Sequence, residues 1–196
     1  MASQVELLFA NGMEAGVARL AADGRLFTAS DADQDDMVTG QTAFSALAPT
    51  FLLYAPAAVV AIPVKVELVQ AGTVAGGPVN IVAEIDDVAR YSSGGTAETI
   101  LNNLIGGPAP QCALRSNPTA AAGYGVRIWQ ELVGADVDPA EGADQALIWE
   151  PKWPIFVKSV GAAASAALLI HTWAASTGPT WRWSITWAEI PPAWLS

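Results

Sequence analysis

The segment Ser30-Asp31-Ala32-Asp33-Gln34-Asp35-Asp36 carries carboxylates at alternating positions, a spacing with which a loop can close several oxygens on a hard cation such as calcium. Asp31, Asp33 and Asp35 are its candidate ligands. The pattern departs from the EF-hand loop: the sixth position is Asp36 where glycine makes the turn, and the twelfth is Thr42 where a bidentate glutamate is needed. A solvated acidic loop is the expectation, with calcium or a basic neighbour as alternatives. His171 is the only histidine, so a Ser/His/Asp or Cys/His arrangement has no other imidazole to draw on. It shares a strand face with Leu169 and Trp173, which predicts a hydrogen-bonded core or interface residue. Cys112, the only cysteine, lies in PAPQCALRS with no basic or histidine neighbour to lower its thiol pKa, and is expected as a small buried apolar residue. One cysteine and one histidine also exclude an intrachain disulfide and a Cys/His zinc site within one chain. The pairs Asp86-Asp87 and Asp136/Asp138 offer the carboxylates a glycosidase would use, but surface turns account for them. Gly94-Gly95 and Gly106-Gly107 lack the lysine and hydroxyl residue of a phosphate-binding loop. These residues predict no enzyme and no cofactor.

The richer feature is aromatic. All eight tryptophans lie between Trp129 and Trp194. In Thr180 to Ile190, TWRWSITWAEI, the residues Trp181, Trp183, Ile185 and Trp187 line one face of a strand, and Arg182, Ser184 and Thr186 line the other. Exposed tryptophans on a sheet stack on sugar rings; tryptophans also anchor protein interfaces. Each ring buries on the order of 200 Å² and needs a partner for its N–H, so three on one strand exceed what a small core usually takes. A core shared between subunits is therefore expected, with Trp173, Trp181, Trp183, Trp187 and Trp194 as interface candidates.

Strands must hold these groups, because β-branched residues and turn signals recur at short intervals while helix-period stripes are scarce. Val60, Ile62, Val64, Val66 and Leu68 alternate with Ala61, Pro63, Lys65, Glu67 and Val69. Pro63 cannot donate to a ladder, which predicts an edge position or a bulge there. A turn at Ala75-Gly76-Gly77-Pro78 leads to a second strand, Val79 to Tyr91, and the two read as a hairpin closed by Ser92-Ser93-Gly94-Gly95. Thr96 to Ile105 reads as a helical turn or two, or a strand. Tyr124 to Val133, with Val126, Ile128 and Leu132 on one face and Arg127, Trp129 and Glu131 on the other, is a further strand. So are Gln145 to Glu150, Ile155 to Val160 and Ala166 to Ala174, and at the amino end Val5 to Phe9 and Val17 to Phe27. The sum is an all-β antiparallel sandwich of jelly-roll type with roughly eight to ten strands. Residues 1–45 form an arm or first strands with the acidic loop, and 46–196 form the sandwich. No internal repeat is visible, which disfavours a propeller or solenoid.

Composition narrows the role. The chain has 196 residues, 52% hydrophobic and 14% charged, with a net charge of −10. That length suits one core, and the low charge with a mean hydropathy of +0.34 excludes a disordered chain. The acidic balance is the wrong sign for gripping phosphate backbones or anionic lipid, so no direct nucleic-acid or membrane partner is expected. Met37 to Val64 is apolar but broken by Pro49, Pro56 and Pro63, and Ser159 to Trp181 contains polar residues and ends near Gly178-Pro179. The amino-terminal stretch has no basic region and predicts no export signal.

The ending GPTWRWSITWAEIPP, preceded by LLIHTWAAS, resembles the closing strands of jelly-roll virion proteins, including the trimeric TNF-like modules on phage heads and tails. The resemblance covers about the last 70 residues and concerns architecture. It implies a homotrimer packed around a three-fold axis with aromatics buried there, located in the virion and made in the host cytoplasm. The acidic amino-terminal segment departs from such a module; an arm contacting a neighbouring capsid or virion protein would explain it. A shell protein facing genome presents basic surface, so decoration or another outer structural role is expected. The alternative is a carbohydrate-binding β-sandwich using exposed tryptophans.

Overall fold

The structure, a computed structural model, describes residues 3–31, 36–71, 78–134, 146–160 and 165–196. Two short helices open the chain, α1 (Gln4–Leu8) and α2 (Met13–Ala22). The strands are β1 (Leu26–Ser30), β2 (Val38–Thr39), β3 (Phe51–Ala55), β4 (Val60–Gln70), β5 (Val79–Asp86), β6 (Tyr91–Ser93) and β7 (Thr96–Ala97), then β8 (Ile100–Asn102), β9 (Ala113–Ser116), β10 (Thr119–Ala120), β11 (Val126–Val133), β12 (Ala146–Trp149), β13 (Ala166–Trp173) and β14 (Thr180–Ile190). A 3-10 turn, Pro192–Leu195, follows.

The chain is all-β with antiparallel sheets. One sheet runs β12-β4-β14-β1-β8, with β2 added to β14; the other runs β11-β5-β13-β3-β9-β7; β6 and β10 form a separate pair. The long strands pair from the outside of the chain inwards: β1 with β14, β3 with β13, β4 with β12 and β5 with β11, every pair antiparallel. Contacts of β14 with β4 and of β13 with β5 join alternate pairs into the two sheets. The sheets share one core, as in a β-sandwich: Phe27, Leu68, Trp181 and Ile185 from the first pack with Phe51, Ile81, Leu168 and Ile170 from the second.

Burial explains why these segments form these strands. On β14 the alternating residues Trp181, Trp183, Ile185 and Trp187 point into that core, while Ala188 and Ile190 face the opposite way and pack beneath the helices with Val60, Ile62, Leu8 and Leu20. On β13, Ala166, Leu168 and Ile170 face the shared core, and Ala167 and Leu169 sit in a second cluster with Leu52 and Ala120. A strand covered on both faces reads as the continuous apolar run AALLI. In β4 the ladder shifts register between Lys65 and Pro63, opposite Thr186 and Trp187. Pro63 thus sits at a bulge in an interior strand. The shift divides the expected apolar face, with Val60 and Ile62 under the helices and Val66 and Leu68 in the sandwich.

Several expectations are corrected. The segments Val5 to Phe9 and Val17 to Phe27 are not two strands: the first is α1 and most of the second belongs to α2 and β1. Ser3 and Glu6 form a capping box, the Ser3 hydroxyl accepting from the Glu6 N–H at 3.2 Å and the Glu6 carboxylate from the Ser3 N–H at 2.7 Å. Val5 and Leu8 then share one buried face with Val17 and Leu20 of α2. Within the segment expected as an arm or first strands, Leu26–Ser30 forms β1, which lies between β14 and β8. No β4–β5 hairpin forms: β4 lies between β12 and β14, and β5 between β11 and β13. Alternation reports which face is buried, not which strand is the neighbour. Residues 75–77 of the expected turn lie outside the described residues. Thr96 to Ile105 holds β7 and β8 and no helix, and Ile155 to Val160 makes only a bridge, Val157 to Ala61. In β11 a register shift between Arg127 and Trp129 breaks the alternation, so Trp129 turns inward and stacks on Trp149 at 5.6 Å, leaving Val126 and Leu132 exposed.

One close approach locks the start of the Gly40–Thr50 segment to the sandwich. A Cβ built on Gly178 would collide with the Gly40 carbonyl oxygen, and one on Gly40 would collide with the Thr172 hydroxyl. Gly178→Ala should therefore destabilise the fold by about 1–3 kcal/mol, because backbone rather than a flexible side chain must give way. A urea midpoint equal to that of the parent would contradict this contact.

Candidate interaction surfaces

Trp181 and Trp187 are fully buried and Trp183 nearly so, all inside the core of one chain. The expectation that three tryptophans exceed such a core overlooked the acceptors supplied inside it. Trp181 Nε1 donates to Thr172 Oγ1 at 2.9 Å, and that hydroxyl lies 2.8 Å from Thr50 Oγ1. Trp187 Nε1 donates to Glu189 Oε1 at 3.0 Å. Trp183 packs on Phe51 with ring centroids 4.8 Å apart, its indole Nε1–H left without a partner. These three rings present no face to a second subunit. Trp173 is half-buried beneath Phe44, and Trp194 is half-buried with the Arg25 guanidinium 4.8 Å above its ring.

The chemistry-bearing residues are dispersed. Asp31 caps the neighbouring strand, both carboxylate oxygens lying 3.2 Å from the Trp183 N–H. Burial raises its pKa to about 6, against the opposing pull of that hydrogen bond and of Arg182. Asp33 and Asp35 lie outside the described residues, as do Asp136 and Asp138. Among the described residues no group of three or more His, Cys, Asp or Glu side chains could hold a metal ion. Asp86 is occupied by Arg90 at 2.9 Å, while Asp87 is exposed. Cys112 is buried; desolvation, then the Glu189 carboxylate, pushes its thiol well above the usual value, which disfavours the nucleophilic thiolate. His171 is buried on the outer face of the second sheet, and neither ring nitrogen has a hydrogen-bond partner, unlike the satisfied residue expected from sequence. Among the described residues, no helix is long and apolar enough to cross a membrane.

The surface carries large apolar side chains where the sequence reading placed none. At the free edge of the first sheet, Leu101 is 67% exposed and Ile105 fully exposed, with Leu104 between them. Trp153 is 80% exposed and Tyr124 79%. Tyr124 and Val126 border an open groove of about 350 Å³ with Phe156, Asp86, Asp87 and Lys158. Trp153 was legible as the one tryptophan set between prolines, in Pro151-Lys152-Trp153-Pro154, where no strand can draw it into a core. Leu101 and Ile105 were hidden by the helical reading of their segment. No protein family, curated protein or solved structure matches this chain.

Proposed function

We propose that this chain is a structural component of a virus particle, a phage capsid decoration or other outer virion protein that acts through subunit–subunit contacts without catalysis. The observation carrying this reading is the exposed apolar set of Leu101, Leu104, Ile105 and Val126, on a chain whose tryptophan strand is already packed internally. Exposed apolar surface of this kind marks contact sites. The strand pairing supports a jelly roll: β1, β3, β4, β5, β11, β12, β13 and β14 pair first with last, second with seventh, third with sixth and fourth with fifth, the order of an antiparallel ribbon rolled into two four-stranded sheets. The partners in this reading are further copies of the chain, as a homotrimer, and neighbouring virion proteins. Its axis is formed by these exposed apolar residues rather than by Trp181, Trp183 and Trp187, which are buried in the subunit.

Light scattering at micromolar concentration should find a stable oligomer, and Ile105→Asp should shift it to a monomer that keeps the parent's far-UV circular dichroism. A monomeric parent protein would overturn the assembly reading. Carbohydrate binding is the second reading, favoured by the exposed rings of Trp153 and Tyr124. It requires oligosaccharide to quench tryptophan fluorescence in a monomer, and Trp153→Ala to abolish the quenching.

A further inference from the structure

The segment Gly40–Thr50, GQTAFSALAPT, has no titratable side chain and lies over the outer face of β13. Its ends are fastened by backbone bonds: Gln41 N–H to Thr172 O at 2.8 Å, Ala174 N–H to Gln41 O at 3.1 Å, and Thr50 N–H to Ile170 O at 2.8 Å. Between them Ala120 N–H to Leu47 O, Arg90 Nη2 to Ala46 O and the Arg127 guanidinium 6.0 Å from the Phe44 ring centroid hold it. Phe44 covers what lies beneath, its ring centroid 5.2 Å from the His171 ring and 5.2 Å from the Trp173 ring.

We propose that this segment is an acid-released cover, with protonation of His171 as the trigger that uncovers the apolar face around Trp173 and Leu169. The imidazole is buried, neither nitrogen makes a hydrogen bond of good geometry, and the Ser45 backbone of the cover faces the ring and favours its charged form. The charged groups facing it are Glu84 of β5, Arg90 just beyond β5 and Arg127 of β11; the β3 residues on this face, Leu52 and Tyr54, bring no charge. Glu84 is already engaged, Oε1 with Arg127 Nε at 3.3 Å and Oε2 with the Gly125 N–H at 3.3 Å. An imidazolium here therefore meets two guanidinium groups and a carboxylate that is taken, against which stands the Ser45 backbone.

Burial lowers the His171 pKa to about 4, with Glu84 and the Ser45 backbone opposing and both arginines adding to the drop. An opened cover returns the ring to water and its ordinary pKa of about 6.5. Because the closed form has the depressed pKa, closure is fully stable above pH ~6.5 and weakens as pH falls towards ~4, and the opening equilibrium grows on the order of 100-fold between pH ~7.5 and ~4. His171 is the sole histidine, so its NMR signal is unambiguous.

The test combines an imidazole titration with hydrogen exchange, read as protection factors corrected for intrinsic rates. The Gln41 and Thr50 amides should lose about 100-fold protection on acidification while β14 amides keep theirs. In His171→Leu the cover amides should hold constant protection over the same range. In Phe44→Ala the imidazole should titrate near 6.5. A parent imidazole titrating near 6.5, cover protection independent of pH, equal loss across β14, or acid opening retained in His171→Leu would each overturn the proposal. So would a pKa near 4 persisting in Phe44→Ala, since Phe44 would then not be what keeps the ring dry.

Discussion

Arg90→Ala should cost about 3–5 kcal/mol, the range for removing one partner of a buried, hydrogen-bonded ion pair. Arg90 is fully buried, yet every arm of its guanidinium is engaged. Nε donates to Ala121 O at 2.9 Å, Nη1 to Asp86 at 2.9 Å, and Nη2 to Gly123 O at 2.8 Å and Ala46 O at 3.3 Å. One side chain thus ties the end of β5 to the segment before β11 and to the Gly40–Thr50 cover. Truncation leaves three carbonyls unpaired where the guanidinium lay and strips Asp86, at the border of the groove, of its ion pair. Arg90→Lys keeps the charge but not the planar fork, so it should recover only part of the loss. Urea unfolding measures both; a parent-like midpoint for the alanine variant would show that water or neighbouring groups replace the guanidinium.

Glu189→Ala is the second large effect, expected at about 3 kcal/mol or more, because three donors lose their acceptor at once. The Glu189 carboxylate is buried on the core side of β14 and receives the Gln111 N–H at 2.8 Å, the Cys112 N–H at 3.0 Å and Trp187 Nε1 at 3.0 Å. It is the device that admits Trp187 to the core and fixes the chain entering β9. Glu189→Gln retains the shape but turns an amide N–H₂ toward a donor, so it should fall between parent and alanine variants. The near-UV circular dichroism of Glu189→Ala, compared with that of Trp187→Phe, reports the Trp187 environment. A loss below about 1 kcal/mol in Glu189→Ala, by thermal or chemical unfolding, would contradict the role assigned to the carboxylate.

The roles of Arg90 and Glu189 are set by contacts that lie far away along the chain. Asp86 was legible only as half of a surface acidic pair, and Glu189 followed the tryptophan strand without apparent purpose. Their partners lie in other segments: Glu189 is 77 and 78 residues from the amides it binds, and Arg90 is 31 to 44 residues from its carbonyls. Long-range hydrogen bonds have no local signature. The amino-terminal helices were missed for a different reason, because the S-x-x-E capping box and the Val5/Leu8 and Val17/Leu20 spacing were present but were read as strand pieces.

By itself the sequence determined the all-β class, the inward face of Thr180 to Ile190 and the acidic balance, since alternation, β-branching and charge depend on residue type and near neighbours. It also marked Pro63 as a bulge or edge. Tertiary structure decided which strands pair, because pairing is chosen among distant segments whose alternation is equally good. It decided that Trp181 and Trp187 stay inside one chain, because Thr172 and Glu189 bring them acceptors. It also decided that Leu101 and Ile105 face outward, because β8 and its following loop occupy a sheet edge where none of the described residues covers them.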